Sequence, residues 1–181
     1  MNSIKIALNT LNSSNYKESI QLILAECSHK TQVRFALYCN VDLDKYYDVK
    51  KDSKVYEARQ KCIELINKWL IDDKSVSKEE LKKIADAAYY AYHAASNANN
   101  VAYNATYAAY YATYYAAYYA VNAAYNATYA AHYAATTASN AAHDESARQS
   151  KYKELYEHLI SLILPKNYDK KMVEILYMSS K

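Results

Sequence analysis

The chain has no glycine in 181 residues and a single proline, Pro165. Tight hairpin turns need positive φ at their central positions, which glycine supplies without steric cost and Asn or Asp supply less readily. A glycine-free chain can build few of them. β-Sandwiches, barrels and folds that cradle phosphate on a glycine loop are disfavoured together. Alanine, abundant here, has the highest helix propensity of any residue. The expected class is all-α, a helical bundle with one very long Ala/Tyr-rich helix or helical hairpin.

Charge is distributed unevenly. The formal net charge is only +3, which indicates neither a polybasic nucleic-acid surface nor an acidic mimic of one. Between Ala87 and His143, however, there is no Asp, Glu, Lys or Arg. This divides the chain into an N-terminal charged helical part at 1–76, an Ala/Tyr-rich repeat helix at 77–143 and C-terminal amphipathic helices at 144–181. At this length a single domain is expected to pack all three. The uncharged stretch is rich in Tyr, Asn and Thr and nearly free of Leu, Ile and Phe, so bilayer insertion would be driven poorly. The opening residues lack the apolar run of a signal peptide. A soluble, cytoplasmic protein with no membrane association is the expectation.

Helix starts are marked by capping residues. Asn15 with Glu18 opens a helix bearing Ile20, Leu22, Ile23 and Leu24. Thr31 is the expected cap of a second, with Val33, Phe35, Leu37 and Tyr38. Ser53 begins a third through Cys62, Ile66, Trp69 and Leu70. Ser77 with Glu80 forms a capping box that starts a fourth at about Lys78. Asp144 and Glu145 open an amphipathic helix with Leu155, Leu159 and Ile160, stopped by Pro165. Met172, Val173, Leu176 and Tyr177 suggest a short last helix.

The uncharged middle is an internal repeat: NATYAAYYA at 104–112 returns as NATYAAHYA at 126–134, an offset of 22 residues. Eleven residues make three turns of a nearly straight helix. Ala105, Ala109 and Ala112 therefore recur in line as Ala116, Ala120 and Ala123, then as Ala127, Ala131 and Ala134. Beside them runs a second line of Tyr103, Tyr107, Tyr110, Tyr114, Tyr118, Tyr125 and Tyr129, with His132 continuing it. The alanine line permits close backbone approach, and the tyrosine line offers area and hydroxyls. Unbroken, 87–142 would span about 80 Å. Ser96–Asn100 and Thr136–Asn140 combine weak helix formers and are the candidate bends.

Catalytic arrangements are hard to find. HExxH, GxSxG, the Walker loop and CxxC are all missing. The histidines, His29, His93, His132, His143 and His158, have no zinc-ligand spacing. His143, Asp144 and Glu145 are consecutive, so on a helix they diverge. Asp42, Asp44 and Asp48 lack the glycine and terminal glutamate of a calcium loop and read as a solvated acidic turn. Cys27, Cys39 and Cys62 are odd in number and widely spaced, and Cys39 and Cys62 are expected to pack as small hydrophobes. No catalytic residue, metal or cofactor is expected, and the chain reads as a non-enzyme. The tyrosines at 103, 107, 110, 114, 118, 125 and 129 are the candidate partner-binding residues, because Tyr gives rigid amphipathic contact area at low entropic cost. Half-buried packing is the competing role for each of them.

Three segments carry a family resemblance: FALYC at 35–39, YEARQKCIELINKWL at 56–70 and AAYYAYHAAS at 87–96. In this order they resemble the alanine-rich helical immunity proteins of bacteria (the Imm5-like kind), and similar alanine-repeat proteins occur in phage genomes. Where those repeats carry Arg and Asp, this chain has Tyr, Asn and Thr. The resemblance implies a stoichiometric inhibitor whose partner is a protein target, a toxin or a defence effector, as in immunity or anti-CRISPR proteins. It implies no catalytic residue. Other classes remain. The alanine line permits a self-associating structural protein, including a homodimer. Ice binding is opposed by the 106, 117, 128 and 139 positions, which read Thr, Ala, Thr, Ser beside bulky Tyr. Nucleic-acid or nucleotide binding is opposed by the missing Lys and Arg, since stacking phenols alone hold phosphates poorly.

Overall fold

A computed structural model describes residues 6, 10, 14–42, 53–95 and 123–164. Every regular element among them is an α-helix: α1 Tyr16–Ala25, α2 His29–Asp42, α3 Ser53–Ile71, α4 Lys78–Ala95, α5 Ala123–Ala142 and α6 Glu145–Ile163. Helix α5 packs against α1, α2 and α6; α6 also touches α1 and α2, while α3 packs against α2 and α4. Helical bundling is thus as expected. Both ends of the Ala/Tyr-rich stretch are helical, in α4 and α5. A single very long helix is not shown, because 96–122 lies outside the described residues, as do the Ser96–Asn100 window and the segment around Met172. Among the described residues no helix is long and apolar enough to cross a membrane.

The corners are built by side chains, as a chain without glycine requires. Asn15 caps α1: its Oδ1 accepts from Glu18 N at 3.3 Å and its Nδ2 donates to Glu18 Oε2 at 2.9 Å. Ile20, Ile23 and Leu24 are buried, but Leu22 is 47 % exposed. It sits about 200° around the helix from Ile20 and falls off the i, i+3, i+4 stripe. The expected cap of α2 also moves. Ser28, not Thr31, is the cap, accepting from Thr31 N at 3.3 Å, and Thr31 occupies the first turn. Both residue types cap well, and the free backbone N–H lies three residues after the cap, so the earlier residue wins. At the same corner, buried Gln32 donates Nε2 to the carbonyls of Leu24 (2.8 Å) and Cys27 (3.1 Å). Both carbonyls lie at or just past the end of α1, where intrahelical donors run out, and that of Leu24 also accepts from Cys27 N at 3.1 Å.

Between α3 and α4, Asp72 Oδ1 accepts from Lys74 N at 3.0 Å, and the Ser77–Glu80 box closes with Ser77 N donating to Glu80 Oε2 at 2.9 Å. Helix α5 runs unbroken through Thr136–Asn140, so the chain does not bend there. The Thr137 hydroxyl is satisfied inside the helix by donating to Tyr133 O at 2.8 Å. The break comes instead at His143, whose φ of 51° puts it in the left-handed region. Asp144 N then donates back to Ser139 O at 3.2 Å, the helix-terminating bond usually seen with glycine at the left-handed position. Asp144 at once caps α6, accepting from Ser146 N at 2.8 Å. The helix ends at Ile163, and Leu164 is extended (φ −84°, ψ 144°), the conformation a following proline favours.

Ala127, Ala130, Ala131, Ala134, Ala135 and Ala138 are all buried, with Asn126 and Thr137 beside them. Together they span about half the circumference of α5 at 100° per residue. The expected line of Ala127, Ala131 and Ala134 is therefore the middle of a wider buried face. It is covered by the chain's own helices, whose Ile20, Ile23, Leu24, Phe35, Leu155 and Leu159 fill the core around it. Methyl-sized side chains let three neighbours approach one helix without leaving voids. Cys39 and Cys62 are buried among apolar neighbours, packed as expected.

Candidate functional site

The side of α5 away from the alanine face carries its aromatic residues. Tyr125, Tyr129 and Tyr133 follow at four-residue steps, so each ring lies over the preceding turn. Tyr125 is 58 % exposed, whereas Tyr129, His132 and Tyr133 are half-buried. The Tyr125 hydroxyl donates to the Tyr129 hydroxyl at 2.9 Å, and their rings lie 4.7 Å apart at 47°. Tyr133 continues the row, its ring 6.5 Å from that of Tyr129. Donating to its neighbour holds the Tyr125 proton more firmly, and its phenol titrates above the usual value.

The row is anchored from beneath. His132 Nδ1 lies 3.1 Å from the hydroxyl of buried Tyr152 on α6, and its ring meets Tyr133 edge-on at 5.7 Å. Burial, reinforced by the positive charges of Lys17 and Arg148, holds His132 below the usual histidine range. Burial pushes the Tyr152 phenol up to about 12. At neutral pH this joint is therefore an imidazole hydrogen-bonded to a phenol, with no formal charge. Tyr156, one turn along α6, shares a 3.2 Å hydrogen bond with Thr10 and packs its ring 5.5 Å from Tyr16.

The structure thus brings Tyr125 and Tyr129 together on one edge. Tyr103, Tyr107, Tyr110, Tyr114 and Tyr118 lie outside the described residues, as do Asp44 and Asp48. Among the described residues no group of His, Cys, Asp and Glu is arranged to hold a metal. His29 packs edge-on against Trp69 at 5.2 Å, and His143 serves the α5–α6 corner. The chain matches no protein-family model, no curated protein and no solved structure.

Sequence reasoning missed one polar cluster, between α2 and α6. Tyr38 and His158 stack face to face with centroids 3.4 Å apart at 9°. Tyr38 also donates to Glu154 Oε1 at 3.4 Å, and Glu154 Oε2 pairs at 2.9 Å with Lys151, which is only 2 % exposed. A lysine this deeply buried needs its carboxylate. The i, i+3 spacing of Lys151 and Glu154 was readable, but Tyr38 is 116 residues away. No local pattern reports that contact.

Proposed function

We propose that the chain is a non-enzymatic, protein-binding inhibitor of the immunity or anti-defence type, which covers a functional site on its target with the phenol edge of α5. The observation that carries this reading is the exposure of Tyr125 on a helix clamped by three others. An aromatic ring in this position is held by a neighbour's hydroxyl and ring contact, so little freedom is lost on binding. Tyrosine is among the residues that dominate the energetics of protein interfaces. The resemblance of 35–39, 56–70 and 87–96 to immunity proteins supports the same class.

The test uses the full chain as bait in extract of its source cells, with captured proteins identified and then titrated individually. Tyr125→Ala combined with Tyr129→Ala is expected to weaken the cognate partner at least tenfold while leaving the far-UV circular dichroism unchanged. Wild-type chain is expected to inhibit that partner at one-to-one stoichiometry. Unchanged affinity of the double variant for every captured partner would remove the α5 edge as the binding surface.

A further inference from the structure

Helices α2 and α3 leave an open groove of about 620 Å³ between them, lined by Arg34, Leu37, Tyr38, Val41, Leu70 and Ile71, with Asn67 in its wall. It shares no residue with the α5 phenol edge and is argued independently of it. On α2 the lining residues fall at i, i+3, i+4 and i+7; Leu37 and Tyr38 form the floor, packed in or against the core, while Arg34 and Val41 are exposed. On α3, Asn67, Leu70 and Ile71 repeat the i, i+3, i+4 spacing. The Lys30–Asp73 ion pair (3.7 Å) sets the start of α2 beside the end of α3, so the two helices run antiparallel and Arg34 lies toward the Ile71 end. Two antiparallel stripes of this kind form the seat into which a third helix packs its ridge.

The walls indicate what that helix carries. Ile71 is 87 % exposed and Val41 42 %, so large apolar side chains stand uncovered on both helices. Arg34 is the one charged residue among the described lining groups. No ion pair or hydrogen bond engages it among the described residues, although nearby Lys30 has both Asp73 and the Trp69 ring. A guanidinium beside an apolar strip is matched by a carboxylate with two donors to fill. The stripe from Arg34 to Val41 covers eight residues, about 10 Å of helix. We infer that the α2–α3 groove docks an amphipathic helix of a protein partner, with apolar side chains on Leu37, Val41, Leu70 and Ile71 and an Asp or Glu on Arg34. The groove is open rather than enclosing, which suits a helix better than a small molecule, whose sites bury most of the ligand.

The experiment pans the full-length chain against a displayed library of amphipathic helices with fixed leucines on one face and all other positions randomised. Helices enriched on the wild-type chain are expected to share an acidic residue at one register position relative to the leucines. Their affinity should fall at least tenfold on Arg34→Glu and on Ile71→Asp, both at exposed positions where folding is preserved. Changing the peptide's acidic residue to lysine should restore binding to the Arg34→Glu chain, which a merely structural effect of that substitution would not do. The inference is overturned if no helix is enriched over the Ile71→Asp chain, or if enriched helices ignore the charge at position 34. It is equally overturned if light scattering shows a dimer that Ile71→Asp dissociates, since a second copy would then be the occupant.

Discussion

Replacing Ala134 with leucine tests whether α5 is clamped as the structure describes. Ala134 is fully buried, and Ala130, Ala131, Ala135 and Ala138 around it are at most 3 % exposed. Leucine adds three carbons where α1, α2 and α6 already meet the alanine face. Overpacking of this kind costs about 1–3 kcal/mol, and three carbons at a fully enclosed site belong at the upper end. Helix propensity does not confuse the result, because leucine is close to alanine on that scale. For a chain of this size about 3 kcal/mol lowers Tm by roughly 6–12 °C. The control is Ala141→Leu, at an exposed position of the same helix, where a surface change is worth within about 0.5 kcal/mol. Thermal melts followed by circular dichroism compare the two. If Ala134→Leu melts with Ala141→Leu, or above the wild type, the alanine face is not covered and the packing around α5 is refuted.

His143→Gly should stabilise the protein, because an L-residue at φ 51° carries a cost that glycine does not. After glycine's own entropic penalty the gain is about 0.5–1 kcal/mol, and urea melts that shift the midpoint downward would contradict the corner geometry. His132 predicts a pH effect of defined sign. Its folded-state pKa lies below the ordinary value of 6.5, so the unfolded chain takes up the proton first. The stability this residue contributes is complete above pH 6.5 and is lost as pH falls through its folded-state value. Melting temperatures between pH 7.5 and 5 should therefore fall more steeply for wild type than for His132→Gln, and parallel curves would show that His132 is not buried against Tyr152.

What was legible beforehand is what depends on residues a few positions apart. Asn15 with Glu18, Ser77 with Glu80, and Asp144 all cap where local chemistry indicated, and the alanine register through Ala127, Ala131 and Ala134 is a buried line. Tyr125 and Tyr129 meet because four residues make about one turn. Some of the failures are also local in origin. Ser28 and Thr31 are equivalent by type, and Ser28 is the cap because the helix already begins at His29, leaving Thr31 in its first turn. Leu22 shares the apolar character of Ile20, Ile23 and Leu24, but its spacing from them turns it outward. The boundary at His143 and Asp144 was expected, but the left-handed turn that makes it was hidden, because histidine does not announce positive φ as glycine does. The Tyr38, His158, Glu154 and Lys151 cluster depends on which helices are neighbours, and repeats of alanine do not encode that.

The missing glycine connects these observations. Each described corner is closed by polar side chains: Asn15 and Glu18 before α1, Ser28 before and Gln32 within α2, Asp72 with Ser77 before α4, and Asp144 before α6. A corner held by side-chain hydrogen bonds has fewer accessible conformations than one that relies on glycine, which loses more backbone entropy on folding. The corner at His143 and Asp144 sets how the end of α5 meets α6, and the buried face of methyl groups on α5 fixes its rotation about its own axis. With both set, the phenols of Tyr125 and Tyr129 are left at the surface in one orientation. A rigid aromatic edge of that kind can bind a partner with little ordering cost, which is the physical basis for proposing recognition there.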